Sequence, residues 1–185
     1  MLQPNFTPFP VLKSSRLLLR QITMPDAAAV FYLRSNETVL QYLDKDADQT
    51  LQQTIDFIEM INKDTQENNS ITWGIALQGH SRLIGTIGYW RMQKQHHRAE
   101  IGYMLHPHFY RQGIMQEAMQ TVLEYGFTQI KLHSVEANIN PANEASRRLL
   151  LKSGFVKEAY FRQNYFYNGN FTDSEIYALL TPASH

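Results

Sequence analysis

A mixed α/β domain built around one sheet is what this sequence predicts, on three observations. Segments with strand and helix character follow in the order strand, two helices, a meander of strands, helix, strand, helix, hairpin. Hydrophobic residues make up 43% of the 185 residues, enough for a proper core. No internal repeat, low-complexity tract or linker divides the chain, so a single domain over 1–185 is expected, with a folded core from about 12 to 181.

Each element has a local reason. The run "RLLLRQIT" from Arg16 is a short apolar strand. In "MPDAAAVFYLRS", Pro25 and Asp26 start a helix, with Pro at the entry and an acid in the first turn. In "DQTLQQTIDFIEMINKDTQEN", Leu51, Ile55, Ile58 and Ile61 recur at helical spacing. The β-rich runs "SITWGIALQ" and "RLIGTIGYWRM" flank "GHS" and read as a hairpin. "RAEIGYMLH" is a further strand, and Ile114, Ala118, Val122 and Tyr125 mark one face of a helix from Gly113 to Phe127. "HSVEANIN" is a strand candidate. "PANEASRRLLLKSGF" is a short helix, with Asn140 as its N-cap, Pro141 in its first turn and Gly154 as its stop. Asn168-Gly169 between aromatic runs from Phe161 onwards is a strong hairpin signal.

Composition excludes several classes of function. Lys+Arg and Asp+Glu number 17 each, so the formal net charge is zero and bulk electrostatic binding to nucleic acid or an anionic membrane is not expected. With no cysteine, there is no disulfide scaffold, thiolate metal site or cysteine nucleophile. The N-terminal segment lacks the apolar core of a signal peptide and no apolar run is long enough to span a bilayer, so a cytoplasmic location is expected. His96, His97, His106 and His108 lie at opposite ends of one strand candidate without an acidic partner at ligand spacing, and no metal is expected.

The junction "HPHFYRQGIMQEA" carries the first chemical signal. A strand ends, a glycine-containing basic turn follows, and a helix begins with no Ser, Thr or Asp to cap it. The first N–H groups of a helix lack intrahelical partners and sit at the positive end of its dipole, so an anion can serve as the cap. Gly113 allows close approach and Arg111 adds charge; an ordinary water-capped turn is the alternative. Neither a Walker loop nor a GxGxxG fingerprint is present.

Taken together, "AEIGYMLHPHFYRQGIMQEA" (Ala99–Ala118) and "VEANINPANEASRRLLLKSGF" (Val135–Phe155) resemble the GNAT superfamily of N-acetyltransferases, in its RimJ/RimL-type branch. The opening "RLLLRQI" and closing "EIYALL" fit that branch, so the resemblance covers nearly the whole chain. It implies a central mixed, mostly antiparallel sheet with helices on both faces and two splayed parallel strands, here Glu100–His106 and Ser134–Asn138. It also implies acetyl-coenzyme A as donor and a primary amine as acceptor.

The resemblance assigns roles residue by residue. The pyrophosphate loop is Arg111, Gln112, Gly113, Ile114 and Met115, acting through main-chain amides. Gly113 matches the pattern; Tyr110 and Met115 depart from it, and the bulk of Met115 is expected to weaken cofactor affinity. The pantetheine arm would insert between the splayed strands, against the backbone of Tyr103, Met104 and Leu105 on one side and Asn138 on the other. Asn143 would hydrogen-bond that arm, and Ser146 would protonate the leaving thiolate. Capping and ordinary backbone bonding are the bland alternatives for these two, and Tyr160 is the backup acid. Arg147, Arg148 and Lys152 would meet the adenosine phosphates or merely line a solvated helix face.

Glu100 would be the general base, usually acting through water. It shares a strand face with Gly102 and Met104, where the glycine leaves room for the acetyl group. The alternative is an edge-strand glutamate paired with Arg98. Trp73, Trp90 and the aromatic "YFRQNYFYNGNF" read as packing, with some residues free to line the acceptor groove. The expected acceptor is the N-terminal α-amine of a ribosomal or other protein. A small amine such as a polyamine is the second reading, and a non-catalytic coenzyme A-binding module the third. The acidic "DKDAD" run (Asp44–Asp48) reads as a solvated loop, and the enzyme as a monomer or homodimer.

Overall fold

The computed structural model describes residues 1–182. Its elements are β1 (Leu12–Lys13), β2 (Leu17–Gln21), α1 (Ala27–Ser35), α2 (Glu37–Leu40), α3 (Leu51–Gln66), β3 (Ile71–Leu77), β4 (Leu83–Gln93), β5 (Arg98–Leu105), α4 (Ile114–Tyr125), β6 (Ser134–Ile139), α5 (Glu144–Lys152), β7 (Val156–Tyr167) and β8 (Asn170–Leu180). One eight-stranded sheet runs in the order β1-β2-β3-β4-β5-β6-β8-β7. Every neighbouring pair is antiparallel except β5–β6.

Strand alternation sends side chains to two faces, and helices cover both. Ala99, Ile101, Tyr103 and Leu105 of β5 join the larger core, with Ala118, Met119 and Val122 of α4 and Leu150 of α5. Met104 faces the other way, into the smaller core formed by Val30 and Leu33 of α1 with Ile58 and Ile61 of α3. α3 begins on Thr50, whose hydroxyl accepts from the Gln53 amide in a reciprocal capping box.

Two local expectations shift. The short helix α5 is capped by Asn143, whose Oδ1 accepts from Ser146 N at 3.0 Å, while Asn140 closes the preceding turn on Ala142 N. A Pro two residues before the cap suits an extended entry, so the helix starts three residues later than its composition suggested. The final hairpin is longer than expected: β7 already pairs with β8 at Val156, and register shifts between Lys157 and Ala159 and between Phe161 and Tyr165 absorb the irregular pattern. Its turn has positive φ at both Asn168 and Gly169, the geometry Asn-Gly supplies.

Candidate active site

The parallel pairing of β5 with β6 covers only Arg98↔Ser134, Ala99↔Val135 and Glu100↔Glu136. Beyond Glu100, β5 remains paired to β4 and β6 to β8, but not to each other. The backbone edge of Ile101–Leu105 facing β6, including Tyr103, Met104 and Leu105, is therefore unpaired within the sheet. Buried main-chain N–H and C=O groups are obligatory hydrogen-bonding groups, so such an opening accepts an extended amide-bearing chain. Asn138 lies on the opposite border of the opening, exposed, with its own backbone turned to Ile176 of β8.

At the closed end of this opening sits Glu100, only 9% exposed. Its partner is Arg91, at 3.1 Å, and not Arg98, which pairs with Glu136. β5 is also an interior strand rather than an edge. The cause is a bulge: the β4–β5 register shifts between Trp90 and Gln93, and Arg91 takes a positive φ of 45°. Bulges re-aim side chains, and this one turns Arg91 toward the carboxylate. Burial raises the pKa of Glu100, the Arg91 charge and hydrogen bond oppose the rise, and the neighbouring Glu136 charge adds to it; the net shift is upward. Arg91, Gln93, Arg98, Glu100 and Glu136 line a cleft of about 120 Å³.

Trp90 lies opposite Glu100 on β4 and is 44% exposed, unlike the fully buried Trp73. A Cβ built on Gly102 would meet the Trp90 indole at 3.5 Å, so the glycine leaves this face open beside the ring. The ring lies beneath the Arg91 guanidinium, 4.3 Å from its centroid.

Ser146 is on the other face of the sheet. It is buried, 7% exposed, at the third position of α5, and its hydroxyl touches the Tyr103 hydroxyl. Tyr103 projects from β5 opposite in sense to Glu100 and Gly102, and burial pushes its phenol up to about 12 against the moderating Ser146 hydrogen bond. Sequence reasoning placed Tyr103 here for its backbone alone; no local pattern pairs a strand tyrosine with a helix serine 43 residues later. Tyr160 is exposed on β7 and donates to Asp173 at 2.5 Å. Asn143 spends its Oδ1 on the cap, while its amide Nδ2 has no partner among the described residues.

At the far end of the opening, α4 starts at Gly113, with φ of 73° and no side-chain cap. Arg111 also has a positive φ, of 60°. Ile114 and Met115 turn their side chains into the larger core, where Met115 is 9% exposed. Its bulk is thus packed inward rather than standing over the loop, which is how the helix tolerates methionine there. The loop is braced by residues that the sequence did not mark. Glu117 accepts from Ser14 Oγ (2.7 Å), Ser15 Oγ (2.9 Å), Arg16 N (2.8 Å) and Arg16 Nε (2.6 Å), and Arg16 Nη1 reaches Gln112 O at 3.0 Å. Partial burial disfavours the charged carboxylate, but these donors prevail and hold it at about 2. The negative charge of Glu117 is thereby neutralised one turn from the uncapped helix start.

Other candidates take different places. Arg147 is committed to Glu144, to Glu175 at 3.0 Å and to Pro141 O, within a network that includes Lys157 and Tyr177. Arg148 is exposed and reaches Glu144 at 3.5 Å. The "DKDAD" run is not a solvated loop. Asp48 is buried, paired with Arg34 at 2.6 Å and bonded to Thr54, while Asp44 and Asp46 meet Thr172 and Tyr167 of the β7–β8 hairpin. His106 stacks on Tyr32 at 4.3 Å. That pair borders a groove of about 650 Å³, which Arg20, Asp26 and Arg82 also line. His106 comes six positions after Glu100, about 20 Å along an extended chain, so the groove is remote from the carboxylate.

Residues 16–156 match the acetyltransferase (GNAT) domain family. The chain belongs to this family. It is an N-acetyltransferase whose homologues include RimJ/RimL-like enzymes, and the family draws acetyl from acetyl-coenzyme A. The uncharacterized N-acetyltransferase YoaA of Bacillus subtilis is 40% identical over 94% of this chain and 98% of its own length. The [ribosomal protein uS5]-alanine N-acetyltransferase of Escherichia coli is 27% identical, over 66% of this chain and 64% of its own. The spermidine N(1)-acetyltransferase of Vibrio cholerae is 22% identical, over 86% and 90%. Among solved structures, a GNAT-family acetyltransferase from Bacillus anthracis superposes with a TM-score of 0.83 at 28% identity, over 94% of this chain and all of its own. No helix among the described residues of this acetyltransferase is long and apolar enough to cross a membrane.

Proposed function

We infer that this acetyltransferase transfers acetyl directly from acetyl-coenzyme A to the N-terminal α-amine of a protein, in a ternary complex within the cytoplasm. The observation that carries the reading is a buried carboxylate at the closed end of a strand opening, with a buried hydroxyl across the sheet. Pyrophosphate is assigned to the main-chain amides of Arg111–Met115, and the pantetheine arm to the edge of Tyr103–Leu105, with Asn138 and the free amide of Asn143 on its other side. The amine then approaches from the Glu100 and Trp90 face. Glu100 takes its proton, through water, as nitrogen attacks the thioester carbon. The carbon–sulfur bond breaks toward Ser146, which donates to the departing sulfur.

An α-amine suits this base. Its pKa lies near 7.7–8.0, against about 10.4 for a lysine-type amine. A carboxylate whose pKa burial raises is a better-matched acceptor for the former than for the latter. The relative named for N-acetylation of an alanine of ribosomal protein uS5 agrees. A polyamine acceptor is the second reading, favoured by Asp44 and Asp46 on the loop that meets the β7–β8 hairpin. Coenzyme A release across a panel of Ala- and Ser-initiated peptides, spermidine and amino sugars decides between them.

The catalytic assignment is tested at Glu100. Glu100→Gln keeps the shape and removes the charge, and turnover at neutral pH should fall by about 10²–10³-fold. Raising the pH should recover part of the loss, because free amine then arrives without help. A pH–rate profile matching the parent enzyme would exclude the role and leave only the ion pair with Arg91.

A further inference from the structure

The contact between Tyr103 and Ser146 joins two hydroxyls, and only one of them can donate to the other. A phenol is far more acidic than an alkyl hydroxyl and is the better donor. The Tyr103 hydroxyl is packed against the larger core and has Ser146 as its one partner among the described residues. A buried phenolic proton without an acceptor would be costly. Donation therefore runs from Tyr103 to Ser146 Oγ.

That direction has a consequence for serine. A serine in a helix usually donates back to the carbonyl one turn earlier. Ser146 makes no such bond, although Ser35, Thr65 and Thr121 within other helices do. With Oγ accepting from Tyr103, the serine proton has no acceptor among the described residues. The hydroxyl that carries it lies against Tyr103, a residue of the unpaired stretch of β5.

We propose that Tyr103 is a positioning residue, which by donating to Ser146 Oγ holds the serine proton toward the sulfur of coenzyme A. The inference rests on the reading of Ser146 given above and adds a residue to it. The phenol, near 12, keeps its proton at neutral pH, while an ordinary thiol titrates near 8.5. Tyr103 therefore acts as a fixed donor throughout. The electron pair of the broken carbon–sulfur bond goes to sulfur, Ser146 donates to that thiolate, and solvent completes its protonation.

Coenzyme A itself is the probe, so no acceptor need be known. The thiol of bound coenzyme A is titrated by its ultraviolet thiolate absorbance in the parent, Tyr103→Phe, Ser146→Ala and the double variant. A charge-assisted hydrogen bond is worth enough to lower the bound thiol pKa by about one pH unit or more. Ser146→Ala should abolish that lowering, Tyr103→Phe should remove most of it, and the double variant should go no further than Ser146→Ala. Replacing Tyr103 with a fluorotyrosine, which keeps the hydroxyl and sharpens its acidity, should restore the lowering. Tyr103→Phe retains the ring and the core packing, and a parent-like circular dichroism spectrum verifies an intact fold.

If Ser146→Ala shifts the thiol but Tyr103→Phe does not, or the two shifts add, the positioning role is wrong and the reading of Ser146 stands. If neither single variant shifts it, the role of Ser146 at sulfur fails and this proposal with it.

Discussion

Two parallel strands border the opening, and each leads into a helix, but the helices start differently. α5, after β6, is capped by its own Asn143, and its first turn is satisfied within the chain. α4, after β5, starts on a glycine in the left-handed region with no side-chain cap. A capping side chain is worth about 1 kcal/mol to a helix against alanine and a few tenths against the glycine found here, so leaving one out forgoes a little stability. The chain withholds the cap at the helix whose start faces the pyrophosphate in the proposed reading, and supplies it at the helix whose job there is to hold Ser146 still. Opposite solutions one strand apart follow from what each helix start must meet.

The comparison is broken most sharply at Gly113. Its φ is one that β-branched residues avoid, and a Cβ there would lie 3.5 Å from Arg16 Nη2, so the strain comes from the backbone rather than from a clash. Gly113→Val should weaken coenzyme A at least about tenfold, from strain of roughly 1–2 kcal/mol together with blocked backbone approach. Unchanged affinity by titration calorimetry would show that α4 is not the anion-binding start.

Met115 asks what anchors that start. Were its side chain set over the cofactor, trimming it would improve binding. Buried as it is, Met115→Ala should instead cost about 2–3 kcal/mol of unfolding free energy by urea denaturation, within the usual range for a buried methionine. No loss of stability would reinstate the view that its bulk opposes the cofactor.

At α5 the two ends of one amide can be separated. Asn143→Asp keeps the capping oxygen and removes the Nδ2 donors; Asn143→Ala removes both. The aspartate variant should keep its urea midpoint and bind coenzyme A a few-fold less tightly. The alanine variant should lose about 1 kcal/mol as well. Parent-like affinity in both would reduce Asn143 to a cap.

The smallest effect lies in how the two starts respond to pH. Asn143 does not titrate, so its contribution is flat. Glu117 ionises at about 2 in the folded protein against an ordinary 4.5, so the folded state holds the carboxylate and gains stability from it above about 4.5. That gain disappears as pH falls from there toward 2. The melting-temperature gap between parent and Glu117→Gln should therefore be constant above pH 5 and close below it. A gap unaffected by pH would mean that the bonds from Ser14, Ser15 and Arg16 do not depend on the charge.

The order of elements was legible because each rests on short-range chemistry: helical spacing of Leu51, Ile55 and Ile58, the Asn168-Gly169 turn, and the missing cap at Gly113. The candidate site was legible only where chemistry is written into a contiguous motif, as with Glu100 in "AEIGY". Where a partner lies far along the chain, no local pattern named it. Arg91 reaches Glu100 through a bulge that composition does not announce. The same holds for Ser14–Arg16 on Glu117, about a hundred residues apart, and for the acidic loop that the hairpin engages.

By itself, the sequence determined the elements and their periodicity, the cysteine-free neutral composition, and the motif residues that carry donors, acids and a flexible glycine. These follow from backbone preferences and side-chain chemistry, which act within a few residues. The tertiary structure decided that β5 and β6 part after Glu100, that Glu100 and Ser146 occupy opposite faces of that opening, that Met115 turns inward, and that Tyr103 meets Ser146. Those facts depend on strand register and packing between distant segments. Pairing of this kind is set by the burial of the whole core and is not encoded at any one position.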